Sequence, residues 1–452
     1  MSISPSIFKA YDVRALYPTE LDEAGARAIG RAFVAYLDAT TIAVSRDMRV
    51  SSPSLAAAFI DGALEQGANV IDYGMCATDM LYFGVVRDQL EGGAQITASH
   101  NPKQYNGIKM VRREAFPLSG DAGIKEIREM VTGGTIPAAK RPRGQVRHVD
   151  LLDDYVKKVL TFIDPGVIRP FKVVLDAGCG MAGLVAPKLF ESLPCKTTRL
   201  CFTPDGTFPT HEANPLLEEN RRDIVERVVA EKADVGIAWD GDADRCFFID
   251  GTGEFISGDF ITALLAEAAL TKSPGQKVIY DLRASYAVKD VVSAHGGTAL
   301  MNRVGHAFIK ARMREENAIF GGEVTGHYYF RDFYFADNGF IPALLILELM
   351  SKRNMTLHDL IAPLRNKYFI SGEINTRVND VATVDARLKE LAEKYSGGKT
   401  YWMDGFSAEF PDWHFNVRGS NTEPLIRLNL EAVTPELMAQ KRDEVLGVIR
   451  RT

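Results

Sequence analysis

The chain has 452 residues, 46% of them hydrophobic and 25% charged, which is typical of a globular protein with three or four domains. Its net charge of −6 and the lack of a polybasic run argue against nucleic acid as a partner. The longest apolar run, 340–347, is too short to cross a membrane, and residues 1–5 lack the basic and apolar regions of a signal peptide. We therefore expect a cytoplasmic protein with no nucleic-acid or membrane partner.

Strand and helix signals alternate through most of the chain. Such alternation predicts parallel α/β layers, with ligands outside the carboxyl ends of the strands. After about residue 366 the pattern changes to a helix, extended segments and a final helix, which indicates an α+β domain. We predict strands at 41–44, 70–73, 172–175 and 277–280, and helices at 54–65, 184–193, 286–294, 384–395 and 435–450.

Breaks rich in proline and glycine lie near 133–144, 250–253 and 362–366. We take them as approximate boundaries of four domains, 1–147, 148–250, 251–365 and 366–452. Each of the first three segments contains a strand that ends in a polar, motif-bearing loop. We therefore expect three consecutive mixed α/β domains of similar topology and a C-terminal α+β domain, arranged around a central cleft.

The five cysteines are an odd number and include no Cys-x-x-Cys pair. Most of them have apolar or small neighbours, so we expect free buried thiols rather than disulfides or zinc ligands. They are Cys76, Cys179, Cys195, Cys201 and Cys246.

The segment 97–102, Thr-Ala-Ser-His-Asn-Pro, follows an apolar stretch at 94–96 and ends at a proline, which predicts a loop that leaves a strand. The motif is typical of a serine that carries a phosphoryl group. His100 beside the Ser99 hydroxyl can shuttle a proton, and Asn101 can hydrogen-bond an oxyanion. Taken alone, the same residues form an ordinary turn, so the assignment depends on the other motifs.

Three carboxylates alternate in the segment Asp240-Gly-Asp242-Ala-Asp244-Arg245, between apolar runs. Spaced in this way they can converge on one hard cation, and ligation by oxygen alone favours Mg²⁺, Mn²⁺ or Ca²⁺. An EF-hand is rejected, because its sixth and twelfth positions would hold Arg245 and Gly251. The arginine indicates an anion beside the metal, most simply a phosphate. A plain Asp/Gly turn is the alternative, but it would crowd three like charges.

Two further loops are candidates for substrate binding. Residues 418–424, Arg-Gly-Ser-Asn-Thr-Glu-Pro, offer a guanidinium, a flexible glycine, hydroxyls and an amide, which suit a phosphate. Residues 322–327, Gly-Glu-Val-Thr-Gly-His, offer a carboxylate and a hydroxyl for vicinal sugar hydroxyls and an imidazole as a general base. Each of them is also compatible with a simple exposed polar turn.

The segment Gly178–Gly183 matches G-x-G-x-x-G between a predicted strand and helix, and Asp205 follows 22 positions after Gly183. This is the main indication of a dinucleotide-binding alternative. Asp205 belongs to a turn rather than to a strand end, and glycines also serve plain strand-to-helix packing.

Together the motifs resemble the α-D-phosphohexomutase family, specifically its bacterial phosphomannomutase/phosphoglucomutase branch. The four loops occur in the family's order, and the resemblance covers nearly the whole chain. Two further segments, Phe8–Arg14 and Tyr105–Lys109, are similar to family signatures, as is Gly305-His306 after Arg303. The chain departs from the pattern at Ala15, where glycine is usual, at Thr325, where serine is common, and at Arg283, where a lysine is often found.

The resemblance implies specific roles for residues in the motifs. Ser99 would be the phosphoserine, and Mg²⁺ would be held by Asp240, Asp242, Asp244 and an oxygen of that phosphoserine. Proton transfer and charge stabilisation would fall to Arg14, His100, Lys109, Arg245 and His327. The substrate would be bound by Tyr11, Arg283, His306, Glu323, Thr325, Arg418, Ser420, Asn421 and Thr422.

The resemblance also implies an activity: reversible transfer of phosphate between O1 and O6 of a hexose, mannose and/or glucose, through a hexose 1,6-bisphosphate that also acts as activator. The partner would be a small phosphosugar, and the protein a monomer or weak homodimer. The alternatives are a hexosamine-phosphate mutase, a dinucleotide-binding oxidoreductase built on the Gly178 loop, and a phosphosugar sensor without turnover.

Overall fold

The structure, a computed structural model, describes residues 3–120, 122–419 and 424–451, without the side chain of residue 381. The chain divides into two compact units. Unit 1 comprises Met1–Ile256 and Thr325–Leu357, and unit 2 comprises Ser257–Val324 and His358–Thr452. Within the described ranges, no helix is long and apolar enough to cross a membrane.

The first sheet of unit 1 has the strand order β1-β5-β4-β2-β3-β7, with β6 beside β5. Its strands are β1 (Val13–Leu16), β2 (Thr41–Arg46), β3 (Asn69–Met75), β4 (Gly92–Ile96), β5 (Tyr105–Arg112), β6 (Phe116–Pro117) and β7 (Val146–His148). Its helices are α1 (Glu23–Leu37), α2 (Ser52–Glu65), α3 (Thr78–Arg87) and α4 (Ile124–Thr132). The strands β4, β2, β3 and β7 run parallel, and β5 is antiparallel to its neighbours β1, β4 and β6.

Helix α1 shows why the local sequence folds as it does. Asp22 caps its N-terminus, since the carboxylate accepts a hydrogen bond of 2.8 Å from the backbone N–H of Gly25. Ala26, Ile29 and Phe33 recur at helical spacing and are buried in the hydrophobic core of this sheet. The apolar stripe therefore fixes which face of α1 packs inward.

The second sheet of unit 1 has the order β12-β11-β10-β8-β9. The strands are β8 (Lys172–Asp176), β9 (Lys196–Leu200), β10 (Val235–Trp239), β11 (Cys246–Asp250) and β12 (Phe255–Ile256), and the helices are α5 (Leu152–Leu160), α6 (Ala182–Phe190) and α7 (Arg222–Glu231). Strands β9, β8 and β10 are parallel, whereas β11 and β12 continue the sheet antiparallel.

Unit 2 begins with helix α8 (Gly258–Lys272) and a parallel βαβ arrangement. Strand β13 lies between β14 and β15 and is parallel to both. The elements after α8 are β13 (Lys277–Asp281), α9 (Tyr286–Ala294), β14 (Thr298–Asn302), α10 (His306–Glu316) and β15 (Phe320–Gly322).

The chain then returns to unit 1 for residues 325–357. This segment contains the antiparallel pair β16 (Tyr328–Phe330) and β17 (Ala336–Asp337), followed by the buried helix α11 (Phe340–Arg353).

The C-terminal part of unit 2 starts with helix α12 (Leu357–Arg365) and an antiparallel sheet of order β18-β23-β22-β21-β20, with β19 also beside β23. The elements are β18 (Phe369–Ile370), β19 (Ile374–Arg377), α13 (Val381–Lys394), β20 (Lys399–Tyr401), β21 (Phe406–Glu409), β22 (Trp413–Gly419), β23 (Leu425–Ala432) and α14 (Pro435–Ile449). The predicted break at 362–366 begins too early, because α12 continues through Pro363 to Arg365.

The three α/β sheets share one arrangement. In each of them the first parallel strand (β2, β8 or β13) lies between the second (β3, β9 or β14) and the third (β4, β10 or β15). The serine loop follows β4, the aspartate loop follows β10, and the Glu323 loop follows β15. The expected similar topology is confirmed, and three motifs occupy equivalent positions at the carboxyl end of the third strand.

A buried hydrogen-bond network holds the returning segment 325–357 in unit 1. Tyr155 on α5 donates its hydroxyl proton to Asp79 on α3 at 2.6 Å and accepts from the Asn338 side chain at 2.8 Å. The backbone N–H of Gly339 also donates to Asp79, at 3.3 Å. Burial raises the pKa of Asp79 well above its ordinary value.

Replacing Tyr155 with phenylalanine removes the donor to Asp79 and the acceptor for Asn338 in a buried setting. We expect Tyr155→Phe to lower the free energy of unfolding by about 1–3 kcal/mol, the cost of leaving buried polar groups without their partner. The midpoint and slope of urea-induced unfolding measure it. As a control, Tyr36→Phe should change little, since in the described structure the Tyr36 hydroxyl has no hydrogen-bond partner. An unchanged midpoint for Tyr155→Phe would contradict the stabilising role of the network.

Candidate active site

Ser99 lies in the loop after β4, with its backbone in the left-handed region at φ 50°. A non-glycine residue in this region is strained and must be held there by its surroundings. Its N–H donates to the Thr97 hydroxyl at 2.9 Å. The buried Ser99 hydroxyl donates to Asp240 Oδ2 at 2.7 Å and lies 3.2 Å from His100 Nδ1. The structure thus joins the serine loop to the aspartate loop through the serine oxygen.

Arg49, just after β2, binds the backbone of the serine loop through its side chain. Its side chain is fully buried and pairs with Asp47, whose carboxylate lies 3.2 Å from Arg49 Nε. The two terminal nitrogens donate to four backbone carbonyls at 2.5–2.9 Å, those of Ser99, Asn101, Pro102 and Tyr105. A planar guanidinium supplies several donors in a rigid fork, so one side chain fixes the course of the whole loop.

The aspartate loop brings its three carboxylates together. Oxygens of Asp240, Asp242 and Asp244 lie within 4.8 Å of one another, and all three residues are buried. Gly241 lets the two loops approach, because a Cβ at this position would lie 2.6 Å from the Ser99 carbonyl oxygen. Thr78, at the start of α3, donates its N–H to the Asp242 carbonyl at 3.0 Å and its hydroxyl to Asp242 Oδ2 at 2.6 Å.

The negative charge of the three aspartates is only partly balanced by nearby cationic side chains. Lys109 on β5 forms ion pairs with Asp242, at 2.7 Å, and with Asp244. Burial raises the pKa of Asp240 to about 7, and repulsion from Asp242 and Asp244 adds to this shift although Arg245 and Lys109 oppose it. Burial also opposes ionisation of Asp244, but Lys109 and His327 hold its pKa well below the usual value.

These residues fit a bound metal ion. The buried Oδ1 of Asp242 has no hydrogen-bond partner among the residues that the structure describes. Three buried carboxylates supply oxygen ligands of the kind that hard divalent cations prefer, and a cation would compensate the charge that raises the pKa of Asp240. The cluster can therefore hold a metal ion.

The imidazole of His327 lies at the same cluster. Arg245 Nε donates to His327 Nε2 at 3.1 Å, and this nitrogen is 3.4 Å from Asp244 Oδ1. Asp244, His327 and Asp337 form a second group of potential ligands within 4.8 Å. His327 thus belongs with the aspartate loop in unit 1.

Two further predicted residues flank Ser99. Arg14 on β1 donates to the Asn101 side chain at 2.6 Å and to the Ala98 carbonyl at 3.1 Å, and it pairs with Asp12 at 2.5 Å. Burial lowers the pKa of His100 well below its ordinary value, and the nearby cations Arg245, Arg14 and Lys109 lower it further. His100 is therefore neutral at physiological pH, the form in which its ring can accept a proton.

In unit 2, Glu323 and the Gly305-His306 segment come together. Glu323 is buried, and its Oε1 accepts a hydrogen bond of 3.0 Å from the Gly305 N–H. His306 is the first residue of α10, directly after Gly305. The neighbouring Val324 N–H donates to Asp281 Oδ2 at 3.0 Å, so the end of β13 supports this loop.

Arg283 and Arg418 meet on one carboxylate of unit 2. Glu373 Oε2 lies 3.3 Å from both guanidinium groups, and Arg427 lies 3.9 Å from Oε1. Arg283 is also paired with Asp281 at 2.9 Å. Burial alone would raise the pKa of Glu373, but the three arginines lower it below the ordinary value. Three guanidinium groups clustered in this way can bind an anion through charge-assisted hydrogen bonds.

The remaining predicted residues are placed as follows. Tyr11 is half-buried and lies three residues before Arg14 in unit 1. Thr325 is half-buried and lies in unit 1. Ser420, Asn421 and Thr422 lie outside the described residues, so Arg418 represents the predicted phosphate loop.

The glycines at 178–183 are explained by close packing within the chain itself. A Cβ on Gly180 would lie 2.5 Å from the Gly241 carbonyl oxygen, and one on Gly183 would lie 2.1 Å from the Phe202 oxygen. The N–H of Met181 donates to the Gly241 carbonyl at 2.9 Å. These contacts favour strand-to-helix packing and support of the aspartate loop over dinucleotide binding.

Sequence reasoning missed Arg49, Thr78 and Glu373. Each acts on residues far away in the chain, and none lies in a recognisable motif. The one available signal was the charged pair Asp47 and Arg49 directly after the apolar strand β2, since charges there need a partner when buried.

Comparison with known proteins identifies the family. The chain matches the phosphoglucomutase/phosphomannomutase alpha/beta/alpha domain I over residues 5–135, domain II over 153–253 and domain III over 257–368, and the C-terminal domain of that family over 373–448. The chain belongs to the phosphoglucomutase/phosphomannomutase family. It is therefore an enzyme, a mutase that transfers a phosphoryl group.

Relatives of this mutase match it along their whole length. A protein named phosphohexose mutases from Xanthomonas campestris is 43% identical over 444 residues, covering 98% of this chain and 99% of that protein. A phosphomannomutase from Escherichia coli is 41% identical over 451 residues, with 98% and 99% covered. The crystal structure of a family protein from Burkholderia thailandensis superposes with a TM-score of 0.88 at 33% identity, covering 99% of this chain and 98% of that one.

Substitution of Arg49 tests whether the serine loop must be held by a planar guanidinium with several donors. We expect Arg49→Lys to lower kcat of the mutase about 10- to 100-fold with little change in KM, because a lysine cannot reach four carbonyls at once and the serine is displaced. Arg46→Lys, at the end of β2, is the matched control, since among the described residues the Arg46 guanidinium makes only a long contact of 3.5 Å to the Asp47 carbonyl. Steady-state kinetics on both variants, with circular dichroism to verify folding, decide the point. An Arg49→Lys enzyme with unchanged kcat would contradict this positioning role.

Proposed function

We propose that this hexose-phosphate mutase interconverts hexose 1-phosphate and hexose 6-phosphate, of mannose and/or glucose, with phosphate carried on Ser99. The observation that carries the proposal is the hydrogen bond of 2.7 Å between the Ser99 hydroxyl and Asp240, one of three clustered carboxylates. A hydroxyl in this setting has a fixed position, and a metal ion held by the three carboxylates would supply the positive charge that a phosphoryl group needs.

In the proposed reaction, phospho-Ser99 transfers its phosphoryl group to the free hydroxyl of the hexose phosphate. The bond between phosphorus and the serine oxygen breaks and a bond to the sugar oxygen forms. The proton of the sugar hydroxyl passes to a base, for which His327 and His100 are candidates, and the leaving serine oxygen takes up a proton to become the Ser99 hydroxyl. The product is a hexose 1,6-bisphosphate. Return of its other phosphate to Ser99 completes the isomerisation, and the same bisphosphate serves as the activator of unphosphorylated enzyme.

Mg²⁺ is the metal that we propose for the three-aspartate cluster, with Asp240, Asp242, Asp244 and a phosphoserine oxygen as ligands. When bound it would offset the charge of about −1.5 to −2 on the phosphoserine. Lys109 and Arg245 supply further positive charge beside Ser99, and Arg14 fixes Asn101 in the same loop.

The groups of unit 2 are suited to recognition of the phosphosugar. Arg418 would bind the phosphate that is not transferred, together with the predicted Ser420, Asn421 and Thr422. Arg283, which shares the Glu373 carboxylate with Arg418, would add a second positive charge. Glu323 and His306 would accept and donate hydrogen bonds to sugar hydroxyls, with Thr325 as a further contact. Tyr11 and Thr325 belong to unit 1, and Tyr11 is the last of the proposed substrate contacts.

The Escherichia coli relative is named a phosphomannomutase, which favours mannose among the possible sugars. Rates on mannose, glucose and glucosamine phosphates distinguish this assignment from a hexosamine-phosphate mutase.

Ser99→Ala tests the covalent carrier directly. We expect kcat to fall by at least about 10³-fold, because the nucleophile that both accepts and donates phosphate is lost. After priming with isotopically labelled hexose 1,6-bisphosphate, wild-type protein should carry label on the peptide that contains Ser99, and the variant should carry none. Ser192→Ala, an exposed serine after α6, should keep both activity and label. Near-normal interconversion by Ser99→Ala would overturn the scheme.

Metal binding should depend on pH in a defined direction. With a pKa of about 7, Asp240 is protonated below that pH in metal-free, unphosphorylated protein, so Mg²⁺ must displace a proton. We expect the apparent Kd for Mg²⁺ to rise up to about tenfold for each pH unit below neutrality and to level off above it.

Isothermal titration one pH unit on either side of neutrality measures this dependence. Asp242→Asn, which removes one ligand charge, should weaken binding at both pH values, and Asp223→Asn, on the exposed face of α7, should leave it unchanged. Equal affinities of the wild-type protein at the two pH values would contradict the role of Asp240.

A further inference from the structure

A second cluster of possible metal ligands lies in unit 1 at the carboxyl ends of β8 and β9. These strands are parallel neighbours, with Asp176 opposite Leu200. Asp176 ends β8 and Cys201 directly follows β9, while His211 lies in the connection that leads toward α7. Parallel pairing therefore brings an oxygen, a sulfur and a nitrogen ligand to one edge of the sheet.

Two of the three separations between the ligand atoms match a tetrahedral site. His211 Nε2 lies 3.1 Å from Asp176 Oδ2 and 3.7 Å from Cys201 Sγ, and all three atoms lie within 4.8 Å of one another. Zinc bonds of about 2.0–2.1 Å to nitrogen and oxygen and about 2.3 Å to sulfur, at tetrahedral angles, would separate nitrogen from oxygen by about 3.3 Å and nitrogen from sulfur by about 3.6 Å. The observed distances agree with these values.

The orientation of His211 also fits metal binding. Its Nδ1 lies 2.9 Å from the backbone carbonyl of Glu212, and a carbonyl only accepts, so Nδ1 carries a proton. The ion pair with Asp176 favours the protonated ring. A metal ion would displace the proton from Nε2, which would then present its lone pair to the metal. Metal-bound histidines are commonly held in this way, with the other ring nitrogen donating to a carbonyl. Three electron-rich atoms that converge on one point need a second proton or a cation between them.

We propose that Asp176, Cys201 and His211 form a Zn²⁺ site, distinct from the three-aspartate cluster, with solvent in the fourth position. A donor set of one sulfur, one nitrogen and one oxygen favours Zn²⁺, whereas Mg²⁺ prefers oxygen alone. The exposed fractions of the His211 and Asp176 side chains are 9% and 2%, so bound metal would be largely shielded from water.

The site would join the 201–211 segment to the loop that supports the aspartate cluster. Cys179 N–H donates to the Cys201 carbonyl at 2.7 Å, and Asp205 N–H donates to the Cys179 carbonyl at 2.9 Å. Two residues later in the Gly178 loop, Met181 donates to Gly241. The metal would thus connect the 201–211 segment to that loop, and the prediction of free thiols without zinc ligands would fail at Cys201.

Cobalt is a spectroscopic probe for this site. In reducing buffer with excess Mg²⁺, we expect full-length wild-type protein to bind one equivalent of Co²⁺ with a thiolate-to-metal charge-transfer band in the near ultraviolet, which one equivalent of Zn²⁺ abolishes. Cys201→Ser and His211→Gln should lose the band. Cys195→Ser is the matched control and should keep it, because Cys195 is similarly half-buried but does not belong to the proposed cluster, its sulfur lying 3.9 Å from the Arg169 carbonyl.

A second measurement needs no variant and so does not depend on mutant folding. Added Zn²⁺ should slow alkylation of Cys201 at least tenfold, as read by peptide mass spectrometry, and leave Cys195 unaffected. No charge-transfer band in the wild type, a band that persists in Cys201→Ser, or equal alkylation of Cys201 with and without Zn²⁺ would each overturn the proposal. The cluster would then be a plain ion pair between His211 and Asp176.

Discussion

The structure of unit 1 depends on the burial of three carboxylates in one short loop. Three like charges removed from water are costly unless cations and hydrogen-bond donors surround them. Lys109, Thr78 and Arg245 supply part of this compensation, each from a different element of the fold. The Ser99 hydroxyl approaches the same carboxylates, so the reactive group and the charges that would act on it share one environment.

This constraint explains features that lie outside the motifs. Gly241 has no side chain because the serine loop passes over it, and Gly180 has none because the aspartate loop is supported from the other side. Arg49 uses its whole donor fork on the carbonyls of the serine loop, which keeps Ser99 in a strained backbone conformation. Several buried polar contacts of the fold thus serve to position a single hydroxyl, that of Ser99.

The repeated sheet topology explains how one scaffold presents different chemistries. The third parallel strand ends in a hydroxyl loop, a carboxylate loop or the Glu323 loop, while the strand order stays the same. Loops at the carboxyl ends of parallel strands are free to vary because the hydrophobic core lies below them. In unit 2, the arginines around Glu373 come from both the α/β part and the antiparallel sheet of that unit.

Local sequence predicted the elements well where periodicity was strong. The helices at 286–294 and 54–65 and the strands at 172–175 and 277–280 agree with the structure to within two residues. Residues 362–365 were expected in a break but lie in α12, which tolerates Pro363. The return of residues 325–357 to unit 1 was not foreseen, since the Asp79–Tyr155–Asn338 network that holds it joins residues far apart in sequence. The four domain boundaries stay predictions.

By itself, the sequence determined the alternation of strands and helices, the four motifs in order and hence the family, because these depend on residue type and short spacing. Only the tertiary structure decided which groups come into contact. Arg49 binds four backbone carbonyls, Lys109 pairs with two aspartates, and Asp176 and Cys201 lie beside His211. Such contacts depend on the register of strands that are tens of residues apart in the sequence. A local sequence pattern does not determine that register.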